Sequence, residues 1–282
     1  MIEKIDVICP IYFLNLQFFK SNVESWLREL PINKLIVGIN YDTHNAMLFE
    51  NEIEPILKEK NIEVIKSDHK NFKTLGYCLA DLMKKVETKW FAFVHSDVEL
   101  TEYCYNLMKL YIKSDVGIIE SARMIYDGKT WKKGDPTHFA KRSYSGFQLF
   151  QTKVFKKFVE TIEDDYIYRN EDFIFRNVCE REGFKYVKSW AMHYHQVSNN
   201  NQWSTERQKT YEQQWKGLIK YAIPDPICLD ACIQAFGISI KEFKVGINEL
   251  LEFAEKTNPE WKQKLFEFFT MELISKIYYN KL

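Results

Sequence analysis

Short, largely apolar runs alternate with amphipathic stretches of helical spacing over the first 97 residues, and this alternation limits the fold more than any other feature of the chain. Ile5–Cys9, Leu35–Ile39, Ile62–Ile65 and Trp90–Val94 are too short for stable helices and read as buried strands. Between them, Leu16, Phe19, Val23, Trp26, Leu27 and Leu30 fall on one helical face that stops at Pro31. Ile53–Leu57 gives a shorter helix, and Leu75, Leu79, Leu82, Met83 and Val86 form another stripe. Strands separated by amphipathic helices predict an α/β fold with a Rossmann-like, mostly parallel sheet flanked by helices on both faces. Such sheets bind ligands in the crevice beyond the carboxyl ends of their strands. The fourth run ends on His95-Ser96-Asp97, so the pattern delivers a carboxylate to that rim.

The alternation continues less regularly. Tyr103, Leu107, Leu110 and Tyr111 suggest a helix and Val116–Ile119 a strand. Asp127–Gly146 then holds Gly128, Gly134, Pro136 and the charges Lys129, Lys132, Lys133, Lys141 and Arg142, a composition that suits either a segment closing over a ligand or an ordinary solvated insertion. Phe147–Phe150 resumes as a strand and Val154–Val159 as a helix. Asn170 can cap a further helix whose first turn carries Glu171 and Asp172, where carboxylates suit the helix dipole. Ile174, Phe175, Val178 and Cys179 give that helix a buried face, Gly183 is placed to end it, and Phe184–Val187 is extended. His193 and His195 alternate with Met192 and Tyr194, which puts both imidazoles on one side of an extended segment. Beyond residue 203 only helical patterns remain, at Thr205–Tyr221, Ile227–Phe236, Ile240–Lys256 and Pro259–Tyr279. The chain therefore divides into an α/β region, 1–203, and a helical C-terminal region, 204–282. The stripe Trp261, Leu265, Phe268, Phe269 and Leu273 suits packing on the first region, a homodimer contact or a membrane surface, and no heptad pattern is long enough for a coiled coil.

Composition removes several classes of function. Thirty-nine basic and 39 acidic side chains cancel, so the electrostatic footprint of a nucleic-acid binder is missing. An apolar content of 46% supports a substantial core. Asp6, Pro10, Asn15 and Gln17 interrupt the N-terminal apolar residues, so neither a signal peptide nor a membrane span is indicated there; the expectation is a cytoplasmic protein, or one peripheral at a membrane. The six cysteines, at 9, 78, 104, 179, 228 and 232, form no Cys-x-x-Cys pair and read as buried thiols. Cys228 and Cys232 have the i, i+4 spacing of one helix face but make a poor zinc site without a partnering Cys or His cluster.

Three residues carry candidate chemistry. Asp97 at a strand end and His195 on a later segment can hold a divalent ion against a pyrophosphate; Mg²⁺ or Mn²⁺ suits the oxygen donors, and the imidazole favours Mn²⁺. Asp172, at a helix start, is placed to accept a proton. Each has an ordinary structural explanation as turn residue, core histidine or cap, but their order along the chain narrows the choice.

Ile5-Asp6-Val7-Ile8-Cys9-Pro10-Ile11-Tyr12, His95-Ser96-Asp97, Glu171-Asp172-Phe173 followed by Glu182-Gly183-Phe184-Lys185, and Ala191-Met192-His193-Tyr194-His195 together resemble the ordered blocks of the inverting family 2 glycosyltransferases of the GT-A fold, over about Ile5–Ser198. The resemblance implies a transferase that moves a sugar from a nucleotide-diphosphate sugar, a UDP-sugar favoured, to a hydroxyl of a glycan or lipid-linked acceptor. It assigns Asp172 as catalytic base with Glu171 beside it, Asp97 and His195 as metal ligands, and Pro10, Tyr12, Asp42, Lys73, His95 and Ser96 to the donor nucleotide. Two departures stand out: His95 replaces the first acid of the Asp-x-Asp motif, and Asn40-Tyr41-Asp42 replaces an acidic pair. The Gln-x-x-Arg-Trp signature of processive synthases is also missing after His195, which implies single-sugar addition. A catalytically inactive GT-A-like binding or scaffold protein is the alternative. A nucleotidyltransferase is disfavoured because Cys9–Lys20 contains no glycine for a phosphate loop.

Overall fold

The computed structural model describes residues 3–11, 16–39, 44–68, 75–126, 131–132, 146–161, 171–195, 216, 219–220, 247–267 and 270. Its strands are β1 (Ile5–Ile11), β2 (Ile32–Ile39), β3 (Glu63–Asp68), β4 (Trp90–Val94), β5 (Val98–Leu100), β6 (Val116–Tyr126), β7 (Trp131–Lys132), β8 (Phe147–Gln151) and β9 (Lys185–His195). The helices are α1 (Leu16–Glu29), α2 (His44–Leu48), α3 (Glu54–Glu59), α4 (Leu75–Lys84), α5 (Cys104–Lys109), α6 (Thr152–Thr161), α7 (Glu171–Arg181) and α8 (Ile247–Thr257), with a π-helical turn, Phe49–Ile53, between α2 and α3.

All nine described strands form one sheet in the order β3-β2-β1-β4-β8-β6-β9-β5, with β7 on β6. The four apolar runs of the first 97 residues make its parallel half, β3-β2-β1-β4. Burial on both faces explains their composition: every residue of β1 and β4 is buried, including Val7, Ile8, Phe91 and Phe93. Beyond β4 the sheet becomes mixed. β8 pairs antiparallel with β4 and β6, β9 runs parallel to β6, and β5 closes the edge antiparallel to β9. The register opposes Phe91 to Phe150, whose rings stack at 5.2 Å, and Phe150 also meets Phe155 and Phe175 edge-on at 4.9 and 5.6 Å. Aromatic contacts of this kind add about 0.5–1.5 kcal/mol each beyond area burial, so the two halves are joined by an aromatic seam.

Local signals set the element ends. α7 buries Ile174, Phe175, Val178 and Cys179 as its periodicity requires, and the chain leaves it through Gly183 at φ 78°, a left-handed conformation that glycine adopts without a Cβ penalty. β9 is longer than Phe184–Val187 suggested. Its parallel register on β6 is irregular between Glu120 and Ala122, and beyond that point Ser189, Ala191 and His193 face inward while Trp190 and Met192 are exposed. Within Asp127–Gly146 only β7 and Gly146 are described, so the ligand-closing role suggested for that stretch lies outside the described residues.

Leu250 and Ala254 of α8 and Trp261 and Leu265 of the helical stretch 259–267 are buried in the same apolar cluster as Phe158, Phe175 and Val178. The Trp261 stripe thus packs on the α/β core, although Phe266 beside it is 63% exposed; the side chains of Phe268, Phe269 and Leu273 lie outside the described residues. Cys9, Cys78, Cys104 and Cys179 are free and buried, and burial pushes the Cys179 thiol up to about 12, which makes it inert at neutral pH. Among the described residues no helix is long and apolar enough to cross a membrane.

Candidate active site

The carboxyl end of β4 leads directly into His95-Ser96-Asp97, and the chain then enters the short edge strand β5. Nothing in three residues of strand propensity would hold such a segment, and helix α1 supplies the restraint. Asn22 Nδ2 donates to the Ser96 carbonyl at 2.9 Å, Trp26 Nε1 to the Val98 carbonyl at 2.8 Å and Arg28 to the Leu100 carbonyl at 3.3 Å, while Ser25 Oγ accepts the Leu100 amide at 2.9 Å. Polar side chains buried on an otherwise apolar helix face are thereby explained: they satisfy backbone groups of the turn that carries Asp97. The periodicity of this helix predicts only a cover for the sheet, and no spacing rule singles out Asn22 and Ser25.

From the other side, β9 completes the arrangement. Val98 pairs with His195, so residue 97 lies beside the end of β9, and His195 Nε2 stands 3.2 Å from Asp97 Oδ2. Two residues 98 positions apart are brought together by one antiparallel ladder. Burial opposes ionisation of Asp97, but the charge and hydrogen bond of His195, the neighbouring His95 and its own backbone amide outweigh it and hold the carboxyl well below the usual range. Asp97 is therefore a carboxylate throughout the neutral range, with 41% of its side chain exposed. His95 takes the opposite state. Burial chiefly, aided by His195 and Arg123 and opposed by Asp97, lowers it to about 4, so a neutral imidazole stands where the resembled motif carries its first acid. Its ring rests on Phe93 at 4.9 Å, and its centroid lies 6.1 Å from that of His195.

His193 sits beneath this pair and is fully buried. The Ser121 hydroxyl donates to the Phe147 carbonyl at 2.8 Å and therefore accepts from His193 Nδ1 at 2.7 Å. Burial holds His193 well below the ordinary histidine range, so it is neutral and its Nε2 carries a lone pair. Gly146, one residue before β8, lies against both imidazoles: a Cβ there would fall 2.5 Å from His193 Nε2 and 2.9 Å from His195 Nδ1. Glycine at 146 is required by close approach.

Pro10 is buried near the carboxyl end of β1, beside Gly38 of β2, and Ser96 holds Asn22 through its carbonyl. Glu171 and Asp172 form the first turn of α7; their side chains, and the whole of Tyr12, Asp42 and Lys73, lie outside the described residues. Among the described residues no three His, Cys, Asp or Glu side chains surround one metal position. Asp97 and His195 supply one oxygen and one nitrogen donor side by side, which fits a divalent ion that completes its shell with phosphate oxygens and water.

No family model and no curated protein sequence matches the chain. Solved structures do. Residues 1–349 of TarS from S. aureus, in complex with UDP-GlcNAc, superpose with a TM-score of 0.61 at 15% identity, over 89% of this chain and 80% of that one. The mannosyltransferase PcManGT from Pyrobaculum calidifontis, in complex with GDP-Man and Mn²⁺, gives a TM-score of 0.58 at 9% identity, over 99% of this chain and 88% of that one. At such identities the likeness shows the fold, which is that of the GT-A-type transferases.

Proposed function

We propose that this protein is a metal-assisted, inverting, non-processive glycosyltransferase that moves a hexosyl group from a nucleotide-diphosphate sugar, a UDP-sugar favoured, to a hydroxyl of a glycan or lipid-linked sugar in the cytoplasm. The observation that carries the reading is the Asp97–His195 pair, 3.2 Å apart beyond the carboxyl end of β4, in a fold whose solved examples hold UDP-GlcNAc or GDP-Man with Mn²⁺.

In this reading Asp97 and His195 hold Mn²⁺ or Mg²⁺, which when bound supplies positive charge to the departing diphosphate. Pro10, Tyr12, Asp42, Lys73, His95 and Ser96 face the nucleotide. His95, neutral and anchored on Phe93, contributes hydrogen bonding there without adding charge. Asp172, with Glu171 beside it in the first turn of α7, takes the proton of the acceptor hydroxyl. The acceptor oxygen bonds to the sugar C1 as the bond from C1 to the β-phosphate oxygen breaks on the opposite face, and the electron pair leaves with the nucleoside diphosphate. One displacement of that kind inverts C1. His95 in place of a carboxylate favours a second reading, a GT-A-like protein that binds a nucleotide sugar without transferring it.

Calorimetric titration of UDP and then GDP into the protein, with Mn²⁺ and with a chelator, tests both. Metal-dependent binding of one nucleotide is expected and names the donor class. Binding without turnover of any matching donor would support the inactive reading, and no binding of either nucleotide would overturn the transferase.

A further inference from the structure

Three imidazoles converge near Asp97, yet only His195 faces its carboxylate. His193 has no surface and does not reach the rim. Its Nδ1–H is committed to Ser121, which is itself committed to the Phe147 carbonyl, so the ring is fixed in one tautomer with its Nε2 lone pair turned away from both. That Nε2 has no hydrogen-bond partner among the described residues, and neither does His195 Nδ1. Both atoms lie within 2.9 Å of the point where a Cβ on residue 146 would sit. Two buried polar atoms that both pack against Gly146 lie close enough to each other for a single water to bridge them. A metal-bound imidazole gains basicity and a fixed orientation when its second nitrogen donates to an acceptor.

We propose that His193 is a positioning residue for His195: one water between them accepts from His195 Nδ1–H and donates to His193 Nε2, so that His195 presents the lone pair of Nε2 beside Asp97. The chain of bonds runs from His195 through the water, His193 and Ser121 to the backbone of β8. Each donor in that chain has one acceptor, and the bond that His195 Nε2 makes to Asp97 in the structure gives way to the ion. This inference rests on the metal-binding reading above and adds a residue to it.

The test is the Mn²⁺ affinity of the full chain in saturating UDP, read by electron paramagnetic resonance of free Mn²⁺. His193→Leu, which fills the space without an acceptor, is expected to weaken Mn²⁺ binding about 10–100-fold. His193→Gln, which places an amide oxygen near the position of Nε2, stays close to the wild type. Ser121→Ala, which releases the tautomer, weakens binding in the same direction by less, and keeps the question answerable if His193→Leu does not fold. Wild-type affinity in His193→Leu or in Ser121→Ala, or equal losses in the Leu and Gln variants at unchanged thermal stability, would overturn the positioning role alone. A wild-type protein that binds no Mn²⁺ with UDP would overturn the metal reading and this inference with it.

Discussion

The parallel and the mixed halves of the sheet both bury polar side chains, but they use them differently. In the parallel half, Asp6 lies near the start of β1, and its two carboxylate oxygens accept from Asn33 Nδ2 at 2.9 Å, the Glu87 amide at 2.7 Å and the Thr88 amide at 3.1 Å. Lys34, almost fully buried, stands 4.0 Å from Asp6 and 2.8 Å from Glu87. These bonds tie β1, β2 and the entry to β4 together at the end of the sheet away from His95–Asp97. In the mixed half, His193, His195 and His95 each keep an imidazole nitrogen without a partner among the described residues. A polar group with every bond made holds a fold together; one left with a lone pair or proton to spare is available to a ligand, a metal or water. The contrast between Asp6 and these three histidines separates scaffold from site, although Ser67 Oγ of β3 is also without a partner among the described residues.

The largest effect that would sharpen this contrast belongs to the mixed half. Asp172→Asn is expected to lower turnover by roughly 10²–10⁴-fold while leaving Mn²⁺-dependent nucleotide binding and the thermal midpoint unchanged. Unchanged turnover in a donor-hydrolysis or transfer assay would remove the base from Asp172. In the parallel half the expectation reverses. Asp6→Ala strands two backbone amides and leaves the buried Lys34 with Glu87 alone, and should cost about 3 kcal/mol in urea unfolding with nucleotide affinity of the folded protein intact. A variant equally stable but poor in nucleotide binding would break the division.

The smallest expected effect lies on the surface of the parallel half, where Lys66 bridges Glu50 at 2.8 Å and Glu54 at 3.0 Å. Burial alone would raise Glu54, but hydrogen bonds and charge from Lys58 and Lys66 outweigh it and lower its pKa. A lowered folded pKa contributes stability that is present above the ordinary carboxylate value and is lost as pH falls through the folded one. Lys66→Met should therefore cost only about 0.5 kcal/mol at neutral pH, and the gap to the wild type should narrow on acidification below the ordinary carboxylate range. A gap that widens in acid would discard the pairing.

Much of the scaffold was legible because it depends on local chemistry repeated along the chain. Leu35–Ile39 and Trp90–Val94 are apolar on both faces, as is Ile5–Cys9 apart from Asp6, and Gly183 sits where a helix must turn left-handed. The direction change at β8 was not legible, since Phe147–Phe150 has the same apolar composition in either orientation. Nor was β5: three residues, one of them charged, carry no periodicity, and the strand exists because Trp26, Ser25 and Arg28 satisfy it from one side and β9 from the other.

The candidate site divides in the same way. By itself the sequence determined that a carboxylate ends an apolar strand at Asp97 and that His193 and His195 share one side of an extended segment, because strand ends and a period of two are local properties. Only the tertiary structure decided that His195 meets Asp97, that His193 is locked by Ser121 across 72 positions, and that both imidazoles pack against Gly146. Those outcomes depend on strand register, and register is set by which distant surfaces pack together rather than by the residues that end up in contact.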